Sequence, residues 1–348
     1  MSSRFSPLTA NTKTAEQLNQ ESIDSIRDLL GRVMIVLNNK GGAGKTTTTA
    51  NLAAQLAAEL ERQGSARRVL AVDLDPQGNL GLDLGYQGKA GDDAGASVIA
   101  VVAGLGTLNV VREVRPNLDV VPGGQRLNAI TATIFASQQG HPNRNPMLSL
   151  AQALAEVAAE YEWVFIDCPP NMPDLQHLAG IAGRYVLIPV CFDQGSIQGL
   201  EGVASVFDAA GRYNDTLTPL GVVLFGFDRN NIRKIKDHEG NEIGLREVGV
   251  LAETRREILE LIDRSGLDMP VFQTVITRAV SVAKLCRKRG RVFAEVADAT
   301  AGADWKKMAR QNKVTVSADS AETSALEMEE LTVEVITEAL SIEREMQG

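Results

Sequence analysis

Aromatic residues are scarce in this chain: two Trp, four Tyr and nine Phe make up 4% of 348 residues. A core must therefore be built from Val, Ile, Leu and Ala, and no ladder of rings is available to stack the bases of a single-stranded nucleic acid. Cysteine is equally sparse. Cys168, Cys191 and Cys286 stand far apart with no Cys-x-x-Cys, which excludes a zinc ribbon or iron–sulfur site and fits a reducing cytoplasm. Each is read as a small buried apolar residue. No apolar run approaches the ~18 residues of a membrane span. Residues 1–30 are polar and lack the apolar region of a secretory signal.

An excess of basic residues is also missing, but the average conceals a segregation. The net charge is −9, and Asp319 to Gly348 holds nine acids against one base, Arg344, so the other 318 residues carry only −1. Within them, Arg278, Lys284, Arg287, Lys288, Arg289 and Arg291 follow one another with no acid between. Such a segment suits sequence-independent contact with DNA phosphates, although a solvated helix face would have the same composition. Arg229, Arg233, Lys234 and Lys236 form a second cluster. The acidic tail is then expected to fold back on the basic surface as an autoinhibitor, or to bind a partner.

What is present is concentrated in residues 38–49, Asn-Asn-Lys-Gly-Gly-Ala-Gly-Lys-Thr-Thr-Thr-Thr. The stretch follows the apolar run Val33 to Leu37 and precedes the alanine- and leucine-rich run Ala50 to Leu60, in the order strand, glycine loop, helix. The ordinary phosphate-loop spacing fails, because Asn39 stands where its first glycine belongs. The glycines are Gly41, Gly42 and Gly44, with Lys40 in front of them, a deviant phosphate loop. Glycines let successive N–H groups turn around a polyanion, and the helix starting near Lys45 aims its positive end at the same point. Lys45 reaches the β- and γ-phosphates, and the Thr46 hydroxyl, followed by Thr47, suits Mg²⁺. Lys40 makes sense if it reaches a nucleotide held by a second subunit.

Elsewhere, apolar runs alternate with helical stretches. Strands are expected at Val69–Leu74, Leu118–Val121, Trp163–Ile166, Tyr185–Val190 and Val222–Phe225, with a shorter last one at Val271–Ile276. Helices are expected over 15–30, 47–63, 147–160 and 321–346, with loop over 85–97 and a polar linker over 302–320. This pattern implies an α/β P-loop NTPase with a mostly parallel twisted sheet and helices on both faces. Ligands then sit at the carboxyl ends of the strands. Asp167 ends one apolar strand, placed to hold Mg²⁺ or its waters. Asp73 and Asp75 end another, Asp75 suited to orient the attacking water and Asp73 to contact the metal's shell. Either of the pair could instead cap the following turn.

Asn38 to Thr47, Val72-Asp73-Leu74-Asp75-Pro76-Gln77-Gly78-Asn79 and Phe165-Ile166-Asp167-Cys168-Pro169-Pro170 resemble the motifs of the ParA-type DNA partition ATPases. Tyr185 to Val190, Gly199 to Gly202 and Pro270 to Arg278 continue the likeness, which covers about residues 32–298. It resembles the branch without a long N-terminal helix-turn-helix domain. Ala43, Asn39, Thr277 and the loop Cys191-Phe192-Asp193-Gln194 depart from the family's usual residues.

The resemblance implies an ATP hydrolase that uses ATP and Mg²⁺ and forms a homodimer in the ATP state. It binds double-stranded DNA non-specifically and is released when a centromere-binding, ParB-type partner stimulates hydrolysis. Lys40 would act across the dimer, Lys45 and Thr46 in cis, and Asp75 in hydrolysis. The implied organisation is an N-terminal helical extension (1–31), the ATPase domain (32–301), and a linker with an acidic C-terminal helix (302–348), cytoplasmic and nucleoid-associated. A MinD-like membrane ATPase needs a basic amphipathic C-terminal helix, which the glutamates from Glu327 to Glu345 contradict. A related ATPase that positions a protein cargo would share the same motifs.

Overall fold

A computed structural model describes residues 15–192, 194–236, 242–301 and 316–347. The chain opens with α1 (Ala15–Asp24), a 3-10 turn (Arg27–Leu30), β1 (Val33–Val36), α2 (Lys45–Arg62), β2 (Arg68–Asp73), α3 (Asn79–Asp83) and α4 (Ala96–Ala103). It continues through β3 (Val111–Arg115), β4 (Leu118–Val121), α5 (Ile130–Gly140), α6 (Ser149–Ala158), β5 (Tyr161–Asp167), α7 (Pro173–Ala182), β6 (Tyr185–Val190) and α8 (Gln194–Ala210). The last third holds β7 (Thr218–Phe227), β8 (Ile232–Lys236), β9 (Glu242–Glu247), α9 (Val250–Ser265), β10 (Val271–Thr277), α10 (Val280–Arg289), α11 (Phe293–Ala301) and α12 (Ala318–Gln347).

Eight strands form one sheet in the order β10-β7-β6-β1-β5-β2-β4-β3, parallel throughout except that β3 runs antiparallel to β4. Its central strands are apolar on both sides because helices cover both faces. Alternation along β1 shows the consequence. Val33 and Ile35, with Leu37 beyond, enter one core, while Met34 and Val36 enter the other. The expected fold is therefore observed. The chain from β1 to β2 crosses over β5 through α2, which brings the loops after β1, β2 and β5 together at one end of the sheet.

Several boundaries differ from the sequence reading. The helix expected over 15–30 divides into α1 and the separate 3-10 turn, and the one expected over 147–160 is α6, introduced by a 3-10 turn at Pro146–Leu148. The loop expected over 85–97 ends where α4 starts. The last strand, β10, has seven residues and forms an edge of the sheet. Strand β3, the β8–β9 ribbon and α9 were not foreseen. In α9 the buried residues Leu251, Thr254, Ile258 and Ile262 form a narrow stripe among charged neighbours, closed by Gly266 at φ 67°. The linker expected over 302–320 falls mostly outside the described residues.

The acidic segment is α12, and it packs into the domain through an apolar stripe. Ala321, Met328, Leu331, Val335 and Ala339 are buried in the core beneath the sheet. Its carboxylates cap the open edge of β10. Glu327 accepts from the Thr277 N–H (2.8 Å) and hydroxyl (2.6 Å), and Glu334 from the N–H groups of Gln273 (3.0 Å) and Thr274 (3.2 Å). Glu343 takes Arg32 through two bonds of 3.0 and 3.2 Å. An exposed strand edge is an aggregation hazard, and these glutamates occupy it. The autoinhibitory fold-back is corrected on this packing: the helix's apolar stripe is part of the core, and three of its nine acids, Glu327, Glu334 and Glu343, are engaged by β10 and Arg32. Deleting residues 318–348 is expected to lower the melting temperature by about 10 °C or more, or to give insoluble protein. Thermal melting checks this, and a fully stable truncation would contradict the packing role.

Candidate nucleotide site

The glycine loop is braced from three sides before it reaches α2. Asn38, fully buried, donates to the Pro189 carbonyl (2.8 Å) and accepts the Lys40 N–H (2.8 Å). Asn39 accepts from Gln176 of α7 (2.7 Å), and the same Gln176 amide donates to the Pro169 carbonyl (2.8 Å). The loop after β1 is thereby tied to the loop after β5. Gly44 adopts φ 95°, and a Cβ there would lie 2.6 Å from the Phe225 ring, so both conformation and space demand glycine. Gly42, at φ 81°, faces open space.

Lys45 begins α2 directly after Gly44, which offers no side-chain cap. The first-turn N–H groups are left for an anion. Lys45 is a buried residue, and its ammonium donates to the Lys40 carbonyl (2.9 Å). Burial lowers its pKa, partly offset by Asp167. Lys40 itself is exposed at the rim.

Opposite the loop, β2 and β5 end on adjacent carboxylates, because Asp73 and Asp167 are partners in the parallel register. Both are fully buried. Asp73 accepts the Asp75 N–H (2.8 Å) through one oxygen, while its other oxygen, both oxygens of Asp167 and the Thr48 hydroxyl have no hydrogen-bond partner. Burial, reinforced by Asp167, raises the Asp73 pKa well above the usual carboxylate range. Burial likewise raises Asp167 to about 7, against the pull of Thr46 and Lys45.

Orphaned buried carboxylates are costly unless another group completes them. A divalent cation with its waters fits this donor set. Among the described residues no three His, Cys, Asp or Glu side chains form a metal cage, so phosphates and water would complete the ion's shell. Asp75 lines the same cleft and accepts the Gln77 N–H (2.9 Å). Turn capping is therefore one use of both Asp73 and Asp75.

A testable consequence concerns stability. A carboxyl whose folded pKa is raised disfavours the folded state above its unfolded pKa, and the cost vanishes as pH falls. Asp167→Asn should therefore raise the melting temperature of the nucleotide-free protein at pH 8 by roughly 3 °C or more, with the gain shrinking towards pH 5. A variant no more stable at pH 8 would show that Asp167 is not an unfavourable buried charge.

A cleft of about 560 Å³ is lined by the glycine loop, Asp75 and Asp83, and α10 supplies a wall of it. Lys284, Arg287 and Arg291 line the cleft, and Arg287 is held by Asp83 at 2.8 Å. The six basic residues thus do not share one face. Arg289 lines a separate hollow beside β3, which Arg291 also reaches, while the Arg278 N–H donates to Phe227 at the carboxyl end of β7 (2.7 Å). In the second cluster, Arg229 donates to the Thr277 hydroxyl (3.4 Å) and pairs with Asp319 (3.6 Å).

Cys168 and Cys286 are buried as expected, whereas Cys191 is half-exposed with its sulfur 3.6 Å from the Gly42 carbonyl. Gln176 and Phe225, which shape the loop, were not foreseen. A glutamine within a helix and a phenylalanine within a strand carry no local signal of a nearby phosphate site.

The comparisons agree with this geometry. Residues 31–218 match the family model described as an AAA domain. The chain is 34% identical over 206 residues to the chromosome partitioning protein ParA of Myxococcus xanthus, covering 58% of this chain and 68% of that protein. Its fold is similar to apo McdA of Cyanothece, with a TM-score of 0.59, 19% identity, and coverage of 79% of this chain and 95% of that one. It is also similar to cobyrinic acid a,c-diamide synthase of Mycobacterium smegmatis with a bound ATP analogue and magnesium, with a TM-score of 0.53, 26% identity, and coverage of 80% and 96%. On its glycine loop, its sheet and these matches, the chain belongs to the ParA family of P-loop ATPases.

Proposed function

We propose that this chain is an ATP-dependent DNA partition ATPase, with ATP and Mg²⁺ as its cofactors. The observation that carries the reading is the buried pair Asp73 and Asp167, three of whose four carboxylate oxygens have no hydrogen-bond partner, opposite a left-handed glycine loop and the buried Lys45. Gly41, Gly42, Ala43 and Gly44 present backbone N–H groups to the phosphates, together with those of Lys45, Thr46 and Thr47. Lys45 neutralises the β- and γ-phosphates in cis. Thr46, Asp73 and Asp167 are the residues that would hold Mg²⁺, which supplies charge stabilisation for phosphoryl transfer when bound. Asp75, at the cleft, positions the attacking water.

Lys40, at the exposed rim, reaches the nucleotide of a second copy, so the active form is a homodimer assembled on ATP. That dimer binds double-stranded DNA without sequence preference, with Arg278, Lys288 and Arg289 as the contacts from the basic segment, since Lys284, Arg287 and Arg291 line the nucleotide cleft. A centromere-binding partner stimulates hydrolysis and releases it from the nucleoid. The ATPase domain spans 32–301, flanked by the N-terminal extension and by α12. Lipid binding through α12 is disfavoured, because the helix is acidic and its apolar stripe is buried. Steady-state ATP hydrolysis with Mg²⁺, alone and with duplex DNA plus the partner, tests the reading. Slow basal turnover with strong stimulation supports it, and no turnover under either condition contradicts it.

A further inference from the structure

The β8–β9 ribbon stands outside the eight-stranded sheet and outside the matched residues 31–218. It leaves the sheet at the carboxyl end of β7 and is anchored there. The Val248 N–H donates to the Asn231 carbonyl (2.8 Å), and Arg229 donates to Thr277 (3.4 Å). Its root therefore lies at the sheet end that carries the nucleotide cleft, beside the start of the basic segment at Arg278.

A two-stranded ribbon is marginal in water without something to pack on, and the two faces of this one differ. Residues directly opposite in an antiparallel pair share a face. On the inner face Ile232 packs against the main core opposite Glu247, whose carboxylate holds Arg255 of α9 at 2.6 and 2.7 Å. On the outer face Arg233 lies directly opposite Arg246, and Ile235 opposite Gly244. Both arginines are exposed, and Ile235 is 42% exposed. Among the described residues no carboxylate lies within ion-pair distance of either arginine. Like charges directly opposite destabilise a ribbon, so the free protein gains nothing from this pair. A ligand with closely repeated anions does.

We infer that the outer face of the β8–β9 ribbon docks on the phosphate backbone of duplex DNA, with Arg233 and Arg246 each contacting a phosphate. The inference rests on the DNA-binding reading above and adds an arm to its surface. A ribbon carrying two arginines at directly opposed positions suits a duplex backbone, where arginine binds phosphate through paired N–H donors.

The test is anisotropy of a labelled random-sequence duplex with ATP across a salt series. It compares the full chain with Arg233→Ala/Arg246→Ala and Arg233→Glu/Arg246→Glu, with sedimentation of the ATP-state dimer alongside. The alanine pair is expected to weaken binding about tenfold at ~0.1 M salt and to flatten the log–log salt slope by about 2, near 0.9 per phosphate. The glutamate pair should weaken it further. Melting temperature should stay level or rise, since repulsion is relieved, and dimerisation should be unchanged. Unchanged affinity and slope, with the wild type binding normally, would overturn the arm alone. Loss of the ATP-state dimer would overturn it in favour of an interface between copies. A wild type that binds no duplex in any state would overturn the DNA reading and the arm with it, and the missing wild-type signal separates that failure from the others.

Discussion

Replacing Lys45 by alanine is expected to weaken ATP binding at least about 100-fold, the cost of removing the buried cation that faces several phosphate charges. The fold should tolerate the change. Lys45 is an energetic burden in the empty protein, because burial lowers its pKa while its ammonium donates to a neutral partner, the Lys40 carbonyl at 2.9 Å. Nucleotide-free melting should therefore shift little, while the stabilisation that ATP confers on the wild type disappears. Calorimetric titration with ATP and Mg²⁺ is the check. An affinity within about threefold of wild type would mean that phosphates do not sit on this loop.

Asp75→Ala should act on a different step. ATP binding stays intact while turnover falls by about 100-fold or more, within the range removed with a positioned general base. The ATP-bound, DNA-bound dimer should then accumulate. Asp75 also accepts the Gln77 N–H at 2.9 Å, so alanine removes a turn cap worth about 1 kcal/mol. Asp75→Asn controls for this, since its amide oxygen can keep the cap while the charge is lost. Both variants should lose turnover alike. Normal hydrolysis by either would remove Asp75 from the chemistry.

The site was legible where chemistry is written into consecutive residues. Gly41, Gly42 and Gly44 ahead of Lys45, and aspartates that close apolar runs at Asp73 and Asp167, declare a phosphate loop and strand ends without any knowledge of contacts. What holds those residues in place was not legible. Gln176 lies 137 positions from the Asn39 it braces, and Phe225 contacts Gly44 only because β7 runs two strands away from β1. The tail misled for a physical reason. Nine acids dominate its composition, yet Met328, Leu331, Val335 and Ala339 recur at helical spacing on one face. Average charge hides a buried stripe. The β8–β9 ribbon escaped notice because its strands are as charged as a surface helix.

The most direct test of the account is binding of a random-sequence duplex with ATP, with ADP and with no nucleotide, over a range of salt concentrations. The account expects binding only in the ATP state, falling steeply and linearly on log–log axes as salt rises. Binding that is equal in all three states, or absent in every one, would contradict it.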